Sequence, residues 1–394
     1  MKYRRFGRTE LEIPVISCGG MRYQQSWKDI DPSEVTKECQ ENLEACIHQA
    51  LDHGINHIET ARHYGSSEMQ LGWLLPKLER DKLIVQTKVP PYESADEFRD
   101  VLETSFKNLQ LDYIDLFSFH GINNDSFLKY VFDGGNLDVV REYQRQGRIK
   151  HVGFSTHALP STILEAIKSN EFDYLNLHWY YMDQINKPCI DEAAKRDMGV
   201  FIISPSDKGG KLYDPPDKLV QLCKPLSPIV FNALFCLANE DVHTLSMGVA
   251  KPNEFDEILK AVKVIDQASE KIETVLASLE AVRQQTLGSD WLESWTKGIV
   301  NFDEMPGEMN VYHILRLLNH YECFDMLDYG KMRYNLIGNA DHWFPGQKVQ
   351  SDKLKEFENL LSGINPMASL IPQKLTKAHE VFNEGELKRL SQSD

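Results

Sequence analysis

The chain has 394 residues, 42% hydrophobic and 26% charged, the proportions of a globular protein. Its formal net charge of −16 argues against broad binding to nucleic acid or to anionic membranes, while leaving room for a local basic site for a phosphate. No apolar run reaches the ~20 residues of a transmembrane helix, and Met1-Lys2-Tyr3-Arg4-Arg5 leads into no signal-peptide core, so a cytoplasmic protein is expected.

Residues 3–16 hold two short extended pieces around Gly7-Arg8-Thr9-Glu10, the pattern of a hairpin. Residues 15–20 read as a first buried strand ending in Gly19-Gly20, where backbone can come close to a ligand. Residues 22–35 are polar and loop-like, and Trp27 among them is either a pocket wall or a packing residue. An amphipathic helix is predicted over 38–53. From there strand-like and helix-like stretches alternate. Strands are predicted at 56–59, 83–88, 113–118, 149–154, 174–176, 200–204 and 244–248, and helices at 68–78, 95–108, 136–146, 160–170, 187–197 and 253–264. With the first strand this makes eight β units, which implies a parallel sheet closed into a (β/α)8 TIM barrel. A doubly wound open sheet is the alternative, but its GxGxxG turn after the first strand is absent.

A barrel commonly uses about 250 to 300 residues, so roughly 100 remain. Past 264 the pattern changes to a mostly helical one, with helices predicted at 265–285, 311–321, 322–337, 352–361 and 373–382. Residues 287–309 show no clear period and hold Trp291, Trp295 and Pro306. The expected organisation is a barrel over 1–264 and an appended C-terminal α-helical domain over 265–394. The seven cysteines, at 18, 39, 46, 189, 223, 236 and 323, are scattered and form no CxxC pair, which points to reduced thiols and no zinc site.

In a barrel the C-terminal ends of the strands converge on one mouth. Those ends supply Glu59, with Tyr64 in the loop that follows, then Lys88 and His120. Each is unremarkable alone: a terminal Lys is usually a surface charge, and a His after an apolar strand usually a satisfied core residue. A carboxylate, phenol, ammonium and imidazole at matching positions of successive strands suit carbonyl reduction. The alkoxide formed by hydride addition needs a proton, and free Tyr, with a pKa of about 10, is a poor acid near neutrality. A neighbouring Lys cation stabilises phenolate, a carboxylate holds that cation, and an imidazole orients the carbonyl oxygen. None of these side chains carries a hydride, so a cofactor must.

The residues that carry these groups make the chain resemble the aldo-keto reductase family. Gly54–Gly65 is close to that family's GINFIDTAxxYG, and 84–88, 112–120, Gly153-Phe154-Ser155-Thr156-His157, 3–8, 174–181 and 246–257 match in order over about residues 1–264. The resemblance implies Tyr64 as proton donor, Lys88 and Glu59 tuning it, and His120 orienting the substrate. The family has Asp where this chain has Glu59. It implies a nicotinamide dinucleotide across the barrel mouth, near Gly20 and Met21, with Ser155, Thr156 and Asn176 on the carboxamide. Ile203 stands where many members stack a Tyr on the nicotinamide ring. Ser204, Ser206 and Lys208, with Gly209-Gly210, match the pyrophosphate stretch, and 248–258, with Lys251 and Glu257, the adenosine-phosphate loop. There Glu254 stands at the usual arginine position and Ile258 at the usual asparagine, which weighs against the family's common NADP preference; Lys251 is the remaining cation, and NADP(H) is expected with NAD(H) possible.

Residues after about 265 resemble the appended domain of a bacterial branch of the family that carries ferredoxin-type CxxCxxCxxxCP motifs. The matching framework is 311–319, 329–335, His342-Trp343-Phe344-Pro345-Gly346 and 370–382. The cysteine positions fall on Trp295, Gly298, Asn301 and Met305, then on Lys355, Glu358, Leu361 and Asn365. None is Cys, and clusters need thiolates, so no iron–sulfur cluster is expected and Trp291 and Trp295 are candidates to fill its place. An unrelated helical cap is the alternative. The expected activity is NAD(P)H-dependent reduction of an aldehyde or ketone, a small-molecule carbonyl, with no nucleic-acid or membrane partner. The alternative is a cofactor-binding regulatory protein with little turnover. Trp27, Tyr92, Trp179 and Tyr180 are candidate pocket walls or ordinary packing, and the sequence leaves substrate and oligomeric state open.

Overall fold

The computed structural model describes residues 1–385 and Leu387. Strands β1 (Tyr3–Arg5) and β2 (Glu12–Pro14) pair antiparallel as a hairpin. Eight further strands, β3 (Ile16–Gly19), β4 (His57–Glu59), β5 (Ile84–Val89), β6 (Ile114–His120), β7 (Ile149–Ser155), β8 (Tyr174–Leu177), β9 (Gly199–Ile202) and β10 (Thr244–Gly248), form a closed parallel barrel in the order β10-β3-β4-β5-β6-β7-β8-β9. The (β/α)8 architecture expected from the alternation is therefore the observed one, with helices beyond it in the C-terminal part.

The helices that follow the strands are α1 (Lys37–Asp52), α2 (Ser67–Gly72), α3 (Ala95–Leu109), α4 (Asp125–Phe132), α5 (Asn136–Arg145), α6 (Pro160–Lys168), α7 (Lys187–Lys195), α8 (Asp217–Leu222), α9 (Pro228–Leu237) and α10 (Phe255–Lys263). Caps explain several starts. Thr36 accepts from Cys39 N at 3.2 Å to begin α1, and Ser94 from Glu97 N at 3.4 Å to begin α3. α2 is shorter than the periodicity predicts, because Pro76, which has no N–H, sits in a 3-10 turn over Leu75–Lys77. α4 was not anticipated, although Asn124 caps it by accepting from Phe127 N at 2.9 Å.

Alternation along the barrel strands stacks three inner layers. At the N-terminal ends, Ile84, Leu116 and Phe201 pack with Phe6 and Ile13 of the hairpin. Above them runs a polar ring. Thr244 bonds Ser17 (2.7 Å), Ser17 bonds His57 (2.6 Å), His57 bonds Gln86 (3.0 Å), Gln86 bonds Ser118 (3.1 Å) and Ser118 bonds Tyr174 (2.9 Å). Two residues further along the same strands lie Ser246, Gly19, Glu59, Lys88, His120 and Asn176.

The remaining helices are α11 (Ala268–Leu287), α12 (Ser289–Ser294), α13 (Val311–Phe324), α14 (Leu327–Tyr334), α15 (Leu354–Leu361) and α16 (Ile371–Phe382). The single helix predicted over 322–337 is broken at Asp325, whose φ of 59° ends α13 in the left-handed region. The chain divides into two compact units, Met1–Gly209 with Asn232–Ser269, and Gly210–Phe231 with Glu270–Asp394. Residues 210–231 thus group with the helical unit. No helix among the described residues is long and apolar enough to cross a membrane.

Candidate active site

Glu59 ends β4, Lys88 lies one residue from the end of β5, and His120 ends β6. Parallel register sets Glu59 opposite Gln86 and Lys88 opposite Ser118, so the three side chains leave the same end of the barrel. The Lys88 ammonium is buried and its donors are directed to three groups: the Glu59 carboxylate, Thr60 O at 2.9 Å, and the Tyr64 hydroxyl at 3.5 Å. Burial pulls the Lys88 pKa below the ordinary lysine value, and Glu59 opposes that pull. The His120 ring stands edge-on to Tyr64, with centroids 5.6 Å apart.

Tyr64 is placed by its loop. Tyr64 N donates to Ala61 O at 3.0 Å, and Ser67 N to Tyr64 O at 3.1 Å. Gly65 follows with φ +53°, and a Cβ there would lie 2.1 Å from Ser26 O. Only glycine lets residues 26–28 pass so close, and that passage brings the Trp27 ring to 6.3 Å from the Tyr64 ring, at 77°. Trp27 thus packs edge-on beside the phenol ring.

Glu59 makes one contact that the sequence reading missed. Its Oε2 accepts from Ser246 Oγ at 3.0 Å. The only available sequence signal was the alternation of β10, which turns Ser246 to the same face as Thr244.

The residues assigned to a dinucleotide lie along the C-terminal ends of β3 and β7–β10. Gly20 N donates to Glu59 O at 2.7 Å, and Met21 follows it. Ser155 Oγ accepts from Gly121 N at 3.1 Å, whereas the Thr156 hydroxyl donates to Ile122 O at 2.7 Å and so ties down its own loop. Asn176 is fully buried, yet neither atom of its amide has a hydrogen-bond partner among the described residues. A buried amide left bare is costly unless a ligand completes it. A carboxamide is the complementary group, so the site fits a nicotinamide. Ser204 takes φ +51°, and Ser206 is buried with its hydroxyl 3.8 Å from Met247 Sδ. Lys208 Nζ lies 3.3 Å from His157 Nε2 and 3.4 Å from His178 Nε2, two imidazoles absent from the predicted set. Lys251 is exposed, and Glu257 pairs with Lys260 in the first turn of α10. Glu254 pairs with Arg22 at 2.7 Å, so its charge is offset by a cation from another loop. Among the described residues no group of three or more His, Cys, Asp or Glu is placed to hold a metal ion.

Comparison with known proteins places the chain in a family. Residues 15–214 match the model of the Aldo/keto reductase family. The chain belongs to that family. It is an NAD(P)H-dependent oxidoreductase, an aldo-keto reductase. The chain is 21% identical to L-galactose dehydrogenase of Arabidopsis thaliana over 320 residues, covering 74% of this chain and 97% of that protein. It is 29% identical to Protein tas of Escherichia coli over 194 residues, which cover 39% of this chain and 52% of that one. An aldo-keto reductase from Bacillus halodurans in its holo form superposes with a TM-score of 0.58 at 20% identity, covering 71% of this chain and 96% of that chain. That likeness is one of fold.

Proposed function

We propose that this aldo-keto reductase reduces an aldehyde or ketone to the alcohol, with Tyr64 as proton donor. The observation that supports this most directly is the buried Lys88 ammonium in contact with both the Glu59 carboxylate and the Tyr64 hydroxyl. The chemistry that a nicotinamide dinucleotide would supply here, when bound, is a hydride for the carbonyl carbon. His120, beside Tyr64, donates a hydrogen bond to the carbonyl oxygen and so fixes its position. As negative charge develops on that oxygen, the Tyr64 O–H bond breaks and its proton moves to it. The phenolate left behind is stabilised by the ammonium, and Glu59 keeps the ammonium charged. Solvent then returns a proton to Tyr64. In this reading Gly20, Met21, Ser155, Thr156 and Asn176 hold the nicotinamide end, Ser204, Ser206 and Lys208 the pyrophosphate, and Lys251 and Glu257 flank the adenosine end. NADP(H) is proposed ahead of NAD(H), because Arg22 already offsets Glu254 and Lys251 remains as a cation.

The same proposal takes residues 265–394 as a cluster-less ferredoxin-like domain appended to a barrel of residues 1–264, in a cytoplasmic protein. Its support is that the two motif segments are joined by ordinary side chains. Asn365 Nδ2 donates to Ser294 O and Lys297 O, both at 2.8 Å, and a Cβ on Gly298 would meet Ile364 at 2.8 Å.

Tyr64→Phe tests the central claim. It removes one oxygen and should lower kcat at least ~100-fold, the scale of general acid catalysis, while NADPH binding, read from tryptophan emission, is unchanged. Turnover at the wild-type rate would give the proton to another group. Dinucleotide binding without turnover of any carbonyl by the wild type would favour the regulatory reading.

A further inference from the structure

Glu59 is one methylene longer than the aspartate of the motif it resembles, and its carboxylate is gripped at two points. One oxygen meets the Lys88 ammonium on β5, and the other accepts from Ser246 Oγ on β10 at 3.0 Å. Strand order is β10-β3-β4-β5, so Glu59 on β4 reaches across β3 in one direction and to its neighbour β5 in the other. Adjacent strands stand about 4.8 Å apart, which puts β10 and β4 roughly 10 Å apart.

What opens the path across β3 is a missing side chain. A Cβ on Gly19 would lie 2.7 Å from Ser246 Oγ, closer than such atoms pack, and a tight 3.2 Å from Glu59 Oε2. Gly19 is paired with Glu59 in the barrel register and Gly248 with Gly19, so all three strands are locked at this level. Ser246 is buried at 8% exposure and Glu59 at 3%, so water does not replace this bond freely. A buried carboxylate oxygen needs a donor, and the Ser246 hydroxyl supplies it. An aspartate at 59 would withdraw the carboxylate by about 1.5 Å, the length of a carbon–carbon bond. It could then hold Lys88 or Ser246 but not both in this geometry.

We propose that Ser246 is a positioning residue of the reductase reaction: with Gly19 it sets the Glu59 carboxylate against Lys88, so that here glutamate works and aspartate does not. The proposal rests on the reading in which Lys88 and Glu59 support Tyr64. Ser246 touches neither substrate nor reacting atoms and acts through Glu59 alone.

The test compares wild type, Ser246→Ala, Glu59→Asp, the double variant and Lys88→Met for kcat, the pH profile of kcat, and NADPH dissociation constant from tryptophan quenching. Ser246→Ala should lower kcat about tenfold, since misplacing a group that holds a catalytic one by a fraction of an ångström has effects of that order. It should also move the alkaline fall of kcat to lower pH, because the Lys88 ammonium holds its proton less well once the carboxylate drifts away from it. The NADPH dissociation constant should stay within about twofold, since Ser246 acts on the ammonium rather than the dinucleotide. Glu59→Asp should lose at least as much as Ser246→Ala, and adding Ser246→Ala to it should cost nothing more, because the shorter carboxylate no longer bridges Ser246 and Lys88. The proposal is overturned if Ser246→Ala keeps both the wild-type kcat and its pH profile, if Glu59→Asp equals or exceeds wild type, or if the two losses simply multiply. Wild-type turnover in Lys88→Met is a separate result that removes the supporting pair itself and overturns both readings together.

Discussion

Acid should destabilise this protein through His57. The ring is fully buried two residues before Glu59, with Nδ1 at 2.6 Å from Ser17 Oγ and Nε2 at 3.0 Å from Gln86 Oε1. Gln86 Oε1 only accepts, so Nε2 carries the proton and Nδ1 accepts from Ser17, as a neutral imidazole does. Burial pushes the pKa down from 6.5 to about 3, with Lys88 adding to the push. The unfolded chain therefore binds a proton below about 6.5 that the folded chain refuses until about pH 3. The stability present above pH 6.5 is lost as pH falls through that window, by about 1.4 kcal/mol per pH unit, or roughly 2 kcal/mol at pH 5. His57→Leu removes this titration. It also leaves Ser17 and Gln86 short of a partner, costing about 1–3 kcal/mol at every pH, so the slope and not the level is the readout. Urea unfolding of the full chain followed by circular dichroism at pH 7, 6 and 5 gives the two slopes. The wild type should lose about 2 kcal/mol more than His57→Leu between pH 7 and 5. Equal slopes would refute the account of a neutral ring locked in the barrel.

Asn176→Leu removes a buried amide that lacks partners among the described residues. The ligand-free protein should melt no lower than wild type and gain up to about 1 kcal/mol, while NADPH binds at least ~10-fold more weakly. A lower melting temperature with binding intact would show that the amide serves the fold instead. Gly65→Ala places a Cβ 2.1 Å from Ser26 O at φ +53°, so it should cost at least ~2 kcal/mol and loosen Trp27 from Tyr64. Thermal denaturation and the near-ultraviolet tryptophan signal check it, and an unchanged signal would mean that the passage of residues 26–28 is not tied to glycine.

The eight barrel strands and the adjacency of Glu59, Tyr64, Lys88 and His120 were legible in the sequence, because they depend on local things. Period-two alternation and β-rich runs mark a strand, and parallel strands send their last residues to one end. The short Ser67–Gly72 helix, the break at Asp325 and the unforeseen helix Asp125–Phe132 were misread because propensity was outweighed by a proline, a left-handed residue and a cap. The grip of Ser246 on Glu59, 187 residues apart, and the pairing of Arg22 with Glu254, 232 apart, have no local signal. Gly19 was legible as a point of close backbone approach, but these two contacts were not. They exist because closing the sheet sets β10 beside β3, and which side chain then meets which is decided by register around the barrel, a property of the closed sheet and of no single stretch of chain.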